Sequence, residues 1–240
     1  GGGYDIILVA GAKNIGMSEV VKFAKSINID TNKLLGDWIV CIPGFTLEKY
    51  RRLQRSQLSI FSRNCFGATL MNTLGLPFYS PFKNLLMVET DFIRFLKHPR
   101  LYFDEKLEFK ESKFYKDGNH DYPIFDLANI SVHMLHYPKF DEAPVKWEER
   151  KKRVNWYNLI AIMETKNLDI LEKFDDLPYG KKVCFVPFKS NLDSAFYIDP
   201  STQDEPNFTT MLINYAFGKI FYYDVFDMLL YGKKTPLIDM

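Results

Sequence analysis

Cysteine is scarce in this chain, and its cysteines are far apart. The three are Cys41, Cys65 and Cys184, an odd number that contains no C-x-x-C pair. A disulfide framework uses an even set of cysteines, and a structural zinc site usually uses closely spaced pairs. The pattern therefore argues against both and is typical of reduced thiols in the cytoplasm.

The chain also lacks a long apolar run and a strong excess of either charge. No stretch approaches the roughly 20 apolar residues of a membrane-spanning helix, and no charged segment precedes a short apolar one as in a secretory signal. Lys and Arg total 31 while Asp and Glu total 30, which gives a formal net charge of +1. We therefore expect a soluble, cytoplasmic protein without a transmembrane segment. Nucleic acid is not expected as a partner, and any anion recognition must be local.

Motifs that would identify a nucleotide site or a hydrolase are missing too. Residues 11–16 (GAKNIG) lack both the G-x-G-x-x-G spacing of a dinucleotide loop and the G-K-[ST] of a P-loop. A G-x-S-x-G elbow is absent, as is a D-x-D motif of the kind that binds a metal-nucleotide. The sequence therefore indicates no metal site, and it leaves any cofactor unknown.

What the chain does contain is a large apolar fraction arranged in alternating strand and helix patterns. Hydrophobic residues make up 47% and aromatic residues 16%, enough for a sizeable core. Strands are predicted at residues 4–10, 37–42, 58–62, 128–135, 159–163 and 183–186, and helices at 17–27, 47–55, 66–74, 89–97, 142–154, 168–174, 208–217 and 225–230. This alternation predicts an α/β fold in three layers, with a largely parallel or mixed sheet flanked by helices.

The chain is predicted to divide near residue 56. Pro43-Gly44 and the basic segment 47–55 have the character of a linker. We therefore assign residues 1–56 to a partial Rossmann-like β-α-β unit and residues 57–240 to the main α/β domain. Residues 102–126 show few periodic cues and are predicted to be irregular, with a turn or mobile loop at residues 116–121.

One candidate site follows the strand at residues 58–62. In open parallel sheets, ligands bind beyond the carboxyl ends of strands, beside the amino ends of the following helices. Asn64 is a candidate cap there, and the backbone of Phe66 and Gly67 is a candidate anion contact. Cys65 is a candidate nucleophile, because a helix amino end lowers a thiol pKa, although unpaired cysteines are usually buried apolar residues.

Two histidines mark the end of the strand predicted at residues 128–135. His133 lies on its polar face, and His136 points the other way if the strand continues, which disfavours joint metal binding. If the strand ends near Met134, both imidazoles enter one cleft, where either is a candidate general base. The alternative is that both are structural histidines with hydrogen-bond partners. Ser80, in an irregular segment, is a candidate loop contact.

The helix predicted at residues 142–154 carries an arginine on its apolar side. The positions Ala143, Trp147, Arg150 and Val154 lie on one stripe, so a guanidinium occupies a place where an apolar side chain usually packs. A charge there needs a carboxylate or a ligand anion, and these two alternatives stay open. Lys146 and Arg153 flank Arg150 and are candidate phosphate contacts with it.

Taken together, these segments resemble a bacterial family of unknown function whose members are often described as exopolysaccharide or capsular polysaccharide biosynthesis proteins. The resemblance covers roughly residues 58–191. Its motifs are SRNCFG at 62–67, LGLPFYSP at 74–81, DFIRFL at 91–96, Tyr122-Pro123, HMLHY at 133–137, FDEA at 140–143 and KWEERKKRVN at 146–155. The last motif ends at Asn155, which joins the candidate ligand contacts.

The resemblance implies a step in the assembly of a cell-surface polysaccharide. We expect a transferase that acts on a phosphorylated sugar or nucleotide sugar, with polysaccharide-assembly proteins as possible partners. In that scheme the cations of the 142–154 helix bind phosphate, and His133 or His136 acts as the general base. The alternatives are a non-catalytic carbohydrate-binding or scaffold protein of the same pathway, and acyl transfer through a reactive Cys65.

Overall fold

The computed structural model describes residues 44–116, 118–137, 139–202, 208–218 and 221–237. The β-α-β unit predicted before residue 43, its GAKNIG segment and Cys41 lie outside these ranges. In chain order the elements are α1 (Leu47–Arg55), β1 (Ser59–Ser62), α2 (Phe66–Thr73), α3 (Glu89–Lys97), α4 (Pro99–Asp104), β2 (Leu107–Tyr115), β3 (His120–Leu127), β4 (Ile130–His133), α5 (Glu142–Lys151), β5 (Leu159–Glu164), α6 (Leu168–Asp175), β6 (Lys182–Val186), β7 (Ala195–Tyr197), a 3-10 helix (Pro200–Thr202), α7 (Phe208–Ala216) and α8 (Val225–Tyr231).

A parallel sheet forms the centre of the described chain, with the strand order β1-β5-β6-β7. Because all of its strands run in one direction, their carboxyl ends share one edge of the sheet and their amino ends share the other. We call these the carboxyl edge and the amino edge. The register is set by the neighbours Ser59 and Leu159, Ala161 and Lys182, and Cys184 and Ala195.

Both faces of the parallel sheet are covered, which confirms the α/β class. Alternate residues of β1 enter different cores: Ile60 packs on one side and Phe61 on the other. The first core also receives side chains from α1, α2, α7 and α8. The second core receives side chains from α3, α4, α5 and α6. The strands are therefore buried along nearly their whole length and have apolar centres, as is usual where a parallel sheet is covered on both faces.

A second sheet is antiparallel and has the order β2-β3-β4. It includes residues 107–127, most of the region predicted to be irregular, so that expectation was wrong. Strand β2 is exposed along nearly its whole length and has a register shift between Phe109 and Glu111. These two features remove the alternation of buried and exposed residues on which strand prediction depends.

One short segment, Asn84–Met87, joins the two sheets, and we call it the connecting segment. Its Leu86 pairs with His133 at the end of β4. Its Met87 N–H donates to Arg63 O, just beyond β1, at 2.9 Å. The carboxyl edge of the parallel sheet and the end of β4 are therefore held side by side.

The helices are short and amphipathic. The longest of those described, α5, has 10 residues. Helix α1 packs against the start of α8, where Lys49 Nζ lies 2.9 Å from Asp224 and 2.6 Å from Asp227. Within the described ranges, no helix is long and apolar enough to cross a membrane.

Candidate functional site

The turn after β1 is closed by hydrogen bonds within the chain. The Phe66 N–H donates to Asn64 Oδ1 at 2.9 Å, and the Gly67 N–H donates to Ser62 Oγ at 3.2 Å. Asn64 therefore caps the start of α2 locally, as its position predicts. The backbone N–H groups of Phe66 and Gly67, which were predicted to contact an anion, are therefore already hydrogen-bonded within the chain.

Gly67 is required for close packing between α2 and β1. A Cβ at this position would lie 2.7 Å from Ile60 Cγ2, closer than real Cβ contacts, and 3.1 Å from Ser62 Cβ, which is a tight contact. The neighbouring Phe66 ring is buried in the first core, 5.0 Å from the ring of Phe185. Both residues therefore serve the packing of the helix on the sheet.

A buried ion pair lies at the carboxyl edge, between Arg63 after β1 and Glu164 at the end of β5. Asn64 Nδ2 donates to the same Glu164 carboxylate at 2.9 Å, and an Arg63 N–H donates to Met87 O at 3.2 Å. Burial raises the pKa of Glu164, and the Arg63 guanidinium opposes that shift. This pair could not be predicted from the sequence, because the partners are 101 residues apart. The one indication in the sequence is that each residue follows a predicted buried strand.

Cys65 lies at the start of α2, but its surroundings do not favour a thiolate. Its Sγ is 3.8 Å from Leu85 O. Burial raises the pKa of the thiol, and backbone hydrogen bonds with Asn84 and Leu85 only partly offset that effect. The thiol is therefore predominantly protonated at neutral pH, contrary to what nucleophilic catalysis requires.

Three of the four histidines gather with two tyrosines at one end of the antiparallel sheet. We call this group, Tyr115, His120, Tyr122, His133 and His136, the ring cluster. His133 Nδ1 lies 3.4 Å from Tyr122 Oη, and the His136 ring centre lies 5.5 Å from that of Tyr115. Strand β4 ends at His133, so both predicted histidines reach the same cluster.

Burial controls the charge of these two histidines. It lowers the pKa of both His133 and His136, so both rings are largely neutral at pH 7. A neutral imidazole is the form that accepts a proton.

Throughout the described part of the chain, no group of three or more His, Cys, Asp or Glu side chains is arranged to hold a metal ion.

Arg150 meets a phenol rather than a carboxylate. Its guanidinium donates to the hydroxyl of Tyr137. Burial raises the pKa of Tyr137 and the nearby Arg150 lowers it. On the same helix, Lys146 pairs with Glu149 at 3.4 Å. The helix ends at Lys151 rather than at the predicted residue 154, so Arg153 lies in the turn after it, where it is exposed.

Some predicted site residues meet at the connecting segment. Cys65 contacts Leu85 O, His133 pairs with Leu86, and the His136 N–H donates to Asn84 O at 3.4 Å. Tyr137, the partner of Arg150, follows directly after His136. These candidates are therefore neighbours in space.

Two other predicted contacts lie elsewhere. The Asn155 N–H donates to Ser59 Oγ at 2.8 Å, which places Asn155 at the amino edge of the sheet. Ser80 is fully buried, and its Oγ accepts from the Phe82 N–H at 3.3 Å. Both residues therefore lie away from Asn64, which follows the carboxyl end of β1.

A large cleft opens at the amino edge of the parallel sheet, with a volume of about 690 Å³. We call it the amino-edge cleft. Its walls are the α3–α4 junction (97–101), the loop entering β5 (156–159) and the loop entering β6 (178–181). The lining residues include Lys97, Arg100 and Lys181, but no Asp or Glu. The charge inside the cleft is therefore positive although the whole chain is nearly neutral.

Aromatic rings accompany these cations. The Arg100 guanidinium lies 4.1 Å from the centre of the Trp156 ring. Tyr157 is fully exposed, and the Tyr179 hydroxyl donates to Leu96 O at 2.7 Å, which anchors the third wall. The cleft thus offers both positive charge and flat apolar surface.

Lys181 is the most enclosed cation of the cleft. Its Nζ donates to Asn158 Oδ1 at 2.7 Å and to Leu229 O at 3.3 Å, and both acceptors are neutral. Burial lowers the pKa of Lys181 to about 8.

The cleft could not be predicted from the sequence, because three separate segments build it. The one indication in the sequence is the adjacent Trp156-Tyr157 pair just before a predicted strand.

Comparison with known proteins identifies relatives of this chain. Residues 40–231 match the model of a family described as a domain of unknown function (DUF1919). An uncharacterised protein from Haemophilus influenzae is 34% identical over 154 residues, which make up 62% of this chain and 71% of that protein. The match contains the whole parallel sheet and the amino-edge cleft.

Proposed function

The chain belongs to the DUF1919 family, and we propose that it binds a phosphorylated sugar or nucleotide sugar in the amino-edge cleft. The observation that carries this proposal is the lining of the cleft, where Lys97, Arg100 and Lys181 are accompanied by no carboxylate. Lys97 and Arg100 are exposed, whereas Lys181 is partly buried. Cations gathered without a counter-charge favour a bound anion, and Arg supplies the paired N–H groups that suit phosphate. A phosphate is therefore the group that this lining fits best.

The aromatic walls favour a ligand that also has a ring. Sugar faces and nucleobases both pack on aromatic side chains, and Tyr157 and the Arg100–Trp156 pair offer such surfaces. The resemblance to polysaccharide biosynthesis proteins supports a sugar as the carrier of the phosphate. Simple inorganic anions would leave the aromatic surface unused.

Group transfer at the ring cluster is a second candidate function. It is favoured by His133, whose burial keeps the imidazole neutral beside the Tyr122 hydroxyl. Such a group accepts a proton from a sugar hydroxyl as a nucleophile forms. The phosphate contacts of this candidate would be Arg150, Lys146 and Arg153.

Calorimetric titration with UDP-glucose, glucose 1-phosphate, glucose and inorganic phosphate tests the first proposal. We expect the two phosphorylated sugars to bind more tightly than glucose or phosphate alone. The double variant Lys97→Ala/Arg100→Ala should weaken their binding by roughly tenfold or more, because charge-assisted hydrogen bonds are lost.

The matched control is Lys146→Ala/Arg153→Ala, which removes two cations from α5 and its end. If this control weakens binding while the cleft variant does not, the ligand lies at the α5 site and the cleft proposal fails. If none of the four compounds binds to the wild-type protein, the proposed ligand class is wrong.

A further inference from the structure

We propose that Lys181 is a nucleophilic amine, which forms an imine with the carbonyl carbon of a phosphorylated aldose or ketose held in the amino-edge cleft. This inference rests on the proposed function, because it takes the cleft as the sugar-phosphate site. It narrows the ligand to sugars with a free or readily opened carbonyl group.

The position of Lys181 supports this role. The residue lines the cleft with Lys97 and Arg100, which are the available phosphate contacts. A phosphate bound by those two side chains places the rest of a small sugar inside the same cavity of about 690 Å³. A carbonyl group of the ligand is thereby kept close to the amine.

The contacts of Lys181 leave its amine available for reaction. A neutral amine has two N–H donors and one lone pair. Lys181 Nζ has two acceptors, Asn158 Oδ1 at 2.7 Å and Leu229 O at 3.3 Å. Both acceptors are satisfied by the neutral amine, and neither carries the negative charge that would hold the lysine in its ammonium form.

The partial burial of Lys181 also favours the neutral form of its amine. It lowers the pKa of the side chain from 10.5 to about 8. A desolvated lysine with a lowered pKa is one of the standard ways in which proteins activate an amine toward carbonyl compounds. A useful fraction of Lys181 is therefore unprotonated near neutral pH.

The reaction balances without an oxidant or reductant. The Nζ lone pair adds to the carbonyl carbon and forms a C–N bond, while a proton passes from the nitrogen to the former carbonyl oxygen. The C–O bond of the resulting carbinolamine then breaks, and its hydroxyl leaves as water with the remaining N–H proton as the C=N bond forms. Water reverses both steps. The imine acidifies the C–H next to the former carbonyl, so the chemistry that it supports is proton transfer at that carbon.

Pyridoxal 5′-phosphate is the probe of choice, because it combines an aldehyde, a phosphate and an aromatic ring. We expect brief exposure followed by borohydride reduction to label Lys181, as identified by peptide mass spectrometry. Labelling of Lys181 should be about tenfold faster than that of exposed lysines, since more of its amine is unprotonated. Glucose 6-phosphate should slow the labelling, and borohydride reduction with this sugar alone should leave a covalent adduct on Lys181.

The neighbouring Lys182 is the matched control, because its ammonium donates to the carbonyl of Leu177 at 2.8 Å rather than lining the cleft. Lys182→Met should keep the labelling, and Lys181→Arg should abolish it while keeping a cation in the cleft. Mapping on the wild-type protein requires no variant to fold. Labelling spread evenly over exposed lysines would overturn the proposal.

The two proposals fail in different ways. If glucose 6-phosphate binds to the wild-type protein but borohydride yields no adduct on Lys181, the imine is excluded and the binding function stands. If the sugar neither binds nor slows pyridoxal phosphate, the sugar-phosphate site itself is wrong, and the imine proposal falls with it.

Discussion

Three side chains, Arg63, Arg150 and Lys181, differ in what their positive charge meets. Arg63 meets a carboxylate, Arg150 a phenol, and Lys181 an amide and a backbone carbonyl. Only the first of these contacts neutralises the charge. A ligand anion therefore gains least at Arg63, whose charge is already neutralised, which is why the cleft is favoured over the carboxyl edge as a binding site.

The Arg63–Glu164 pair is expected to be essential for folding. Glu164→Gln keeps the shape of the side chain but leaves the enclosed Arg63 guanidinium without a counter-charge. Removing one partner of such a pair destabilises a protein by about 3 kcal/mol or more. Urea denaturation should show this loss in the free energy of unfolding.

The double variant Arg63→Met/Glu164→Gln provides the control for this measurement. It should recover part of the loss, because no unpaired charge remains buried. If Glu164→Gln unfolds at the same urea concentration as the wild type, then the pair is solvated in solution and makes no net contribution.

The pKa values of two histidines of the ring cluster, His133 and His120, should be shifted in opposite directions. Burial lowers the pKa of His133 below its ordinary value of 6.5. His120 has Gly118 O and Leu135 O beside its two ring nitrogens, each at 2.9 Å, and these carbonyls raise its pKa because only the protonated ring donates to both. Proton NMR should therefore show His133 titrating at a lower pH than His120.

The same shifts predict opposite effects on stability. The unfolded state takes up a proton at His133 before the folded state does, so this residue lowers stability as pH falls through 6.5. His120 stabilises the fold below its unfolded pKa, and that contribution is lost as pH rises through its folded pKa. His133→Gln should therefore weaken the decline in melting temperature on the acid side. An unchanged decline would show that the ring is solvated.

Residue-level prediction worked where the helical period alone decides the outcome. The stripe on α5 is confirmed at Ala143 and Trp147, which are buried, and Arg150 contacts the buried Tyr137. The helix ends at Lys151, so Val154, the fourth predicted member, lies beyond it. The partner of Arg150 could not be predicted, since Tyr137 approaches from another segment after β4. Whether a cation is paired depends on tertiary contacts that the sequence pattern does not contain.

At the level of elements, the contact between α2 and β1 depends on a single glycine. Gly67→Ala would place a methyl group 2.7 Å from Ile60 Cγ2, so the helix must move away from the strand. Forcing an extra methyl group into a packed core costs about 1–3 kcal/mol. Thermal or urea denaturation should detect this loss.

Gly180→Ala is the matched control, because a Cβ at that position meets nothing within 4 Å. We expect this variant to be as stable as the wild type. Equal stability of both alanine variants would mean that α2 has room to shift, which would contradict the close packing.

The buried strands could be predicted and the exposed hairpin could not. Strands β1, β5 and β6 are buried along nearly their whole length and have apolar centres, IF, LIAIM and VCFV, which are recognisable without knowledge of their partners. Strand β2 is exposed, and β3 contains Pro123, so their pairing leaves little trace in composition. Their pairing is determined by contacts with β4 and the second core.

In the molecule as a whole, the two edges of the parallel sheet have different characters. The carboxyl edge is closed by the Arg63–Glu164 pair and by the capped turn at Asn64. The amino edge is open and bears a cavity of about 690 Å³. Because ligands usually bind at the carboxyl edge of open parallel sheets, the sequence prediction placed the site at that edge. The cleft arises from three loops whose meeting is a property of the tertiary fold.

The two sheets should also differ in how they open. Strands β5 and β6 are buried between two cores, whereas β2 is an exposed edge strand held mainly by β3. Native-state hydrogen exchange should therefore show β5 and β6 amides exchanging only through global unfolding. The β2 amides that bond to β3 should exchange faster, through local opening of the hairpin.

The Gly67→Ala variant separates these two routes. It lowers global stability at a contact in the first core, whereas the β2–β3 hairpin adjoins the second core. Exchange of the β5 and β6 amides should accelerate in proportion to the lost stability, while exchange of the β2 amides should stay unchanged. If β2 accelerates equally, both sheets unfold as one cooperative unit, and the antiparallel sheet is as firmly held as the parallel one.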